Sequence, residues 1–202
     1  MATVPEAVPQ DPVRRYSNVA VTIHWLTAAL VLTQIVLGFA FAEFLPEGPT
    51  RDEVFTWHRT IGATILVLAL IRLAYRLKNP PPPFPTDLPA WRRQVAVWNH
   101  RAFYFMLIAL PLTGLTAVSG MTHGRMTTLA GGIPFPTIPG VSEALGDTFG
   151  DLHVVLVFTT LALFVLHVSA ALYQQFVEHD RTAGRMPPFR APGGEQAVIG
   201  QG

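Results

Sequence analysis

The sequence predicts an all-α integral membrane protein, a bundle of four transmembrane helices. Three observations carry this expectation. Half of the 202 residues are hydrophobic and only 13% are charged, with a mean hydropathy of +0.36, whereas a soluble domain carries about a quarter charged residues. Four apolar runs, about 19–44, 54–77, 95–119 and 149–176, each reach the roughly 20 residues that cross a hydrocarbon layer. Two of the intervening stretches are dense in proline and glycine, which a helix does not continue through.

Residues 1–13 are proline-rich and polar and read as a disordered tail. They lack a basic stretch followed by an apolar one, so no removable signal peptide is expected and the first helix serves as its own insertion signal. That helix carries Ile23-His24-Trp25, and the loop after it collects Glu43, Glu47, Asp52 and Glu53. The second helix opens on Trp57-His58-Arg59. The link Asn79 to Pro85 holds five prolines and reads as a stiff connection. The third helix contains Trp98-Asn99-His100 near its start. A long connection, about 120–148, includes Gly131-Gly132-Ile133-Pro134-Phe135-Pro136, and a loop of that length is expected to be functional or packed over a site. The fourth helix completes a domain over residues 14–180, and 181–202 read as a C-terminal tail.

Charge orients the bundle. Eleven of the 14 basic residues (Arg14, Arg15, Arg72, Arg76, Lys78, Arg92, Arg93, Arg101, Arg181, Arg185 and Arg190) fall at one side, against Arg51, Arg59 and Arg125 at the other. The positive-inside rule then places both termini in the cytoplasm. The net charge of +1 gives no reason to expect a nucleic-acid partner; the partner implied by composition is the lipid bilayer.

The fourth run carries two histidines. His153 and His167 are 14 residues apart, hence about 40° apart around a helix and about 21 Å apart along it. His58 and His153 open helices that enter from the outer side, whereas His24 and His167 lie toward the cytoplasmic edge. An ionisable group in a membrane costs several kcal/mol unless it is partnered or functional. A single histidine is readily explained by a hydrogen bond to a carbonyl, but four matched in two layers share one explanation. Each pair is a candidate bis-histidine clamp on a haem iron. The chain has no cysteine, which excludes disulfides, iron–sulfur clusters and haem held through thioethers.

Around these, Gly62 lies four residues after His58, on the same face, and leaves room for a flat macrocycle; Ala28, Ser169 and Ala170 do likewise near His24 and His167. Trp25, Trp57, Trp91 and Trp98 read as interfacial anchors. Arg59, Arg72 and Arg76 are candidates to pair haem propionates. His100 at the cytoplasmic edge is a polar interfacial residue or a quinone contact, and His123 and His179 read as solvated.

The set Arg15-Tyr16-Ser17, Ile23-His24-Trp25, Trp57-His58-Arg59, Ile71-Arg72-Leu73-Ala74-Tyr75-Arg76-Leu77, Trp98-Asn99-His100, Ala109-Leu110-Pro111-Leu112-Thr113-Gly114 and the fourth helix ending in Arg185-Met186 resembles the bacterial cytochrome b561 proteins. The resemblance runs from about Arg14 to Pro188. It implies an inner-membrane protein with two b-type haems, ligated at the positions matching His24, His58, His153 and His167. One branch resembles superoxide oxidase, which passes electrons from superoxide at the outer face to ubiquinone; stand-alone length and four helices suit it. Histidine at both axial positions leaves no open iron site, so either substrate would react at the haem edge. For the quinone the candidates are His100, Trp25 and Arg76. Arg51, Arg59, Arg125 and His123 are the outer basic candidates for drawing an anion, opposed by the four acidic residues of the first outer loop. The alternative is a cytochrome subunit linking quinone to a separate dehydrogenase or periplasmic redox protein. A haem-free bundle acting as a transporter or assembly factor is a third reading, and it predicts a colourless protein.

Overall fold

The computed structural model describes residues 14–84, 88–178, 183–189 and 198–199. Helix α1 (Asn18–Phe39) begins where the Ser17 hydroxyl accepts the Ala20 amide at 3.2 Å, satisfying one of the free donors of the first turn. It runs on through a π-helical turn, Ala40–Phe44. Helix α2 (Pro49–Lys78) has proline at its start, Asp52 in its first turn, and Arg76 and Lys78 in its last, as proline geometry and the helix dipole favour. Helix α3 (Ala90–Met121) follows Pro89, and α4 (Glu143–Tyr173) is capped by Ser142, whose hydroxyl accepts the Leu145 amide. A second π-helical turn, Gln174–Glu178, prolongs α4. All four helices are long and apolar enough to span a membrane.

Three helices start earlier than the apolar runs: at Pro49 rather than 54, at Ala90 rather than 95, and at Glu143 rather than 149. Their opening residues include Asp52 and Glu53, Arg92 and Arg93, and Glu143 and Asp147. Hydropathy marks the length buried in hydrocarbon, whereas backbone hydrogen bonding carries the helix on into the polar interface.

The topology is up-down-up-down. The α1 start meets the α2 end through Ser17 and Tyr75 (2.9 Å), and Arg92 of α3 pairs with Glu178 beyond α4. At the opposite end α3 and α4 come together at Gly120 and Gly146, where a Cβ on Gly120 would lie 2.6 Å from the Gly146 Cα. We call these the basic end and the acidic end. At mid-depth Ile65, Ala69 and Leu107 are buried, and Leu30, Val31, Ile61 and Ile108 pack on them. This cluster joins α1, α2 and α3 only. Helix α4 packs chiefly on α3, so its other inward positions face α1 and α2 mainly through side chains.

Among the described residues, four two-residue strands tie the ends. β1 (Arg14–Arg15) precedes α1; β2 (Thr127–Thr128) and β3 (Pro134–Phe135) form an antiparallel pair with Thr127 opposite Phe135; and β4 (Val198–Ile199) lies parallel to β1. The long connection is thus folded, and it leans on α2: Thr127 accepts from Arg59, and the Ala130 amide donates to the Thr60 hydroxyl at 2.9 Å.

Residues 183–189, expected to be part of a tail, pack instead on the basic end. Arg185 is 4% exposed, its guanidinium donates to the Pro82 carbonyl and lies over the Tyr16 and Phe84 rings, and its own carbonyl accepts the Tyr16 amide. Burial lowers Arg185 from the ordinary arginine value, with Tyr16 opposing that shift. The chain commits an arginine here because its fork serves a carbonyl while its flat face covers two aromatic rings. The expected tail at 1–13 and His179 lie outside the described residues.

Candidate haem-binding sites

The four depth-matched histidines are brought together in the pairs the depths require. At the basic end the rings of His24 (α1) and His167 (α4) have centroids 6.4 Å apart; at the acidic end those of His58 (α2) and His153 (α4) are 6.3 Å apart. Two imidazoles holding one metal ion from opposite sides, each nitrogen about 2 Å from it, keep their centroids about 6 Å apart. Both pairs meet this test. They also bridge the faces where α4 packs least on α1 and α2, where a macrocycle between helices would stand.

What surrounds each ring decides which nitrogen is free. A neutral imidazole carries one N–H, and whichever group accepts it leaves the other nitrogen as a lone pair for a metal. His153 Nδ1 lies 3.0 Å from the Leu110 carbonyl and 3.2 Å from the Thr113 hydroxyl. It reaches that turn of α3 because Gly114 is there: a Cβ on Gly114 would stand 3.3 Å from His153 Cε1. Gly38 of α1 backs His58 in the same way, also at 3.3 Å, and Phe41 meets the His58 ring edge-on. His167 Nδ1 donates to Asn99 Oδ1 at 3.0 Å, and Phe103 and His100 stand edge-on to its ring. His24 differs: its Nδ1 accepts from Arg72 Nη2 at 2.9 Å, which places the proton of the neutral ring on Nε2 in this arrangement, and the same guanidinium reaches the Tyr104 hydroxyl at 3.3 Å.

The structure moves several predicted site residues. Gly62 does not face open space for a macrocycle, because the Gln34 amide nitrogen, which donates to the His58 carbonyl, would lie 3.2 Å from its Cβ. Ser169 and Ala170 are exposed. Arg59 turns away from the histidines, bonding Thr127 and Thr56 with its guanidinium over Phe55. His100 lies in the third turn of α3, which begins at Ala90, donating Nδ1 to the Ala96 carbonyl at 2.7 Å. Trp25 is exposed and donates to the Pro187 carbonyl, apart from His100 and Arg76. Gly38, Gly114 and Asn99 were missed, although Gly114 and Asn99 stand inside the quoted motifs.

His100 and Arg76 instead share a cavity of about 290 Å³ at the basic end. Arg14, Arg15 and Arg72 also line it, with Tyr16, Tyr75 and Tyr104, and among the described residues no carboxylate does. Arg72 links this cavity directly to His24.

A membrane bundle of four helices with facing histidines at two depths is the architecture of a membrane cytochrome. The family model for prokaryotic cytochrome b561 matches residues 15–188, and the chain belongs to that family. Among its relatives, "Cytochrome b561 homolog 2" of Escherichia coli (strain K12) is 28% identical, covering 85% of this chain and 90% of that protein. "Probable superoxide oxidase CybB" of Yersinia pestis is 30% identical, covering 87% and 97%. "Cytochrome b562" of Cereibacter sphaeroides is 25% identical, covering 85% and 94%. The chain is therefore a bacterial membrane protein that binds b-type haem and transfers electrons.

Proposed function

We propose that this protein carries electrons across the bacterial inner membrane from superoxide to ubiquinone, through one haem held by His58 and His153 and a second held by His24 and His167. Both termini lie in the cytoplasm, so the acidic end faces out. The observation that carries this reading is the matched centroid spacing of the two pairs, 6.3 and 6.4 Å, on one continuous helix. When bound, the haems supply one-electron iron couples. The residues fix the rings: Gly38 and Gly114 admit them, while Leu110 and Asn99 take the Nδ1 protons of His153 and His167. The arginine-lined cavity receives the quinone headgroup, with His100, Arg76 and Tyr104 as hydrogen-bonding groups beside the inner pair. Support for superoxide as donor comes from the relative named a probable superoxide oxidase.

A second reading has a specific observation in its favour. Glu43, Glu47, Asp52, Glu53, Glu143, Asp147 and Asp151 are all exposed toward the acidic end, where Arg51 is tied to Phe41 and Glu47 and Arg59 is bound to the loop. Such a face repels an anion and attracts a basic redox protein. The test is anaerobic stopped-flow on the purified, haem-loaded protein. Rapid haem reduction by superoxide followed by reoxidation by ubiquinone supports the first reading. Reduction only by quinol or by a cationic redox protein, with a rate that falls as salt rises, contradicts it in favour of the second.

A further inference from the structure

Resting on the reading that two haems bind, we propose that Asn99 is the positioning residue that sets the electron affinity of the inner site. Its Oδ1 lies 3.0 Å from His167 Nδ1. A side-chain carbonyl there requires the ring proton on Nδ1, which leaves Nε2 as the lone pair turned to the partner ring. Phe103, one turn further along α3, and His100 hold the same ring edge-on at 5.3 and 5.8 Å. One face of α3 therefore fixes both the orientation and the tautomer of a residue on α4.

The outer pair is held differently. His153 Nδ1 lies nearest a main-chain carbonyl, Leu110 at 3.0 Å, which no substitution removes, with the Thr113 hydroxyl, itself donating to main-chain carbonyls, at 3.2 Å, and His58 Nδ1 is buried without a partner among the described residues. The Nδ1 of His167 is instead met by a side-chain acceptor that substitution can exchange. Electron density at a ligating imidazole rises with the strength of the acceptor on its other nitrogen. A carboxylate there takes a charge-assisted bond and favours the oxidised iron, whereas an apolar group gives up that donation. The neutral amide of Asn99 lies between these, holding the inner site ready to accept an electron from the outer one and release it to the cavity beside His100.

The experiment is a spectroelectrochemical titration of the haem-loaded full chain with Asn99→Asp and Asn99→Leu, both close to asparagine in size. The inner potential is identified from His153→Ala, in which the inner haem alone remains. Asn99→Asp is expected to lower the inner potential and Asn99→Leu to raise it, with the outer potential unmoved. Loss of the inner haem from Asn99→Leu with its retention in Asn99→Asp supports the assignment equally. Shifts of the same sign, no shift in either variant, or an equal shift at the outer site overturn it. Failure of the two-haem reading shows separately, as a wild-type protein without two redox centres.

Discussion

At the acidic end, His153 reaches a main-chain carbonyl past a glycine, and a folded loop lies over the helix ends, tied down through Thr127 and Ala130. At the basic end, His167 meets an asparagine, His24 an arginine, and a cavity of about 290 Å³ opens beside them. The ring spacing is nearly the same in both places. One end obtains it from backbone shape, the other from side-chain chemistry. Backbone support is rigid and sensitive to bulk; side-chain support is polar, tunable and continuous with a place where a substrate can bind. On the proposed function, the difference suits an outer site that only accepts electrons and an inner site that also meets a proton-coupled acceptor.

Substitutions that act on one end and spare the other sharpen this contrast. The largest effect is expected from Gly114→Val, whose branched side chain would press on His153 from a Cβ only 3.3 Å from its ring. Overpacking of this kind costs about 1–3 kcal/mol; haem content should fall by about half in a pyridine haemochrome assay, the inner site surviving. Gly38→Val should do the same through His58, and full haem content in both variants would break the comparison. A smaller effect is expected from Arg76→Gln, which lines the cavity without touching the histidine pair. Loss of a charged hydrogen bond worth about 1.5–3 kcal/mol should raise the ubiquinone KM about tenfold or more at unchanged haem content. An unchanged KM would remove the quinone from this cavity. Thr127→Val should matter least: it deletes one loop contact of Arg59, which keeps its bond to Thr56, so the cost stays at the low end for a bond to a charged group, about 1.5 kcal/mol. Thermal unfolding should shift down by a few degrees with both potentials unaltered; a displaced outer potential would show the loop acting on the site itself.

The spans and the pairing of histidines by depth were legible in the sequence because both depend on distance along a helix, which residue spacing sets directly. Helix starts were less so. Pro49 with Asp52, and Ser142 with Glu143, are start signals that hydropathy passes over, since it responds to the hydrocarbon and not to the backbone. Contacts between helices depend on the rotation of each one about its axis, and this is what set Gly62 against Gln34 and placed Gly38 and Gly114 against the His58 and His153 rings. The contact of His100 with His167 depends on the same rotation, which brings the two rings edge-on at 5.8 Å. Trp25 turned out to hold Pro187, a contact with a distant segment that no local pattern announces.

If the two histidine pairs each hold one haem, the haem-to-protein ratio of the wild type beside His153→Ala and His167→Ala, read together with their low-spin b-type spectra, shows it. Two haems per chain are expected in the wild type and about one in each variant, the surviving centre differing between the two. A wild type with a single haem, or variants that both keep the full complement, would contradict it.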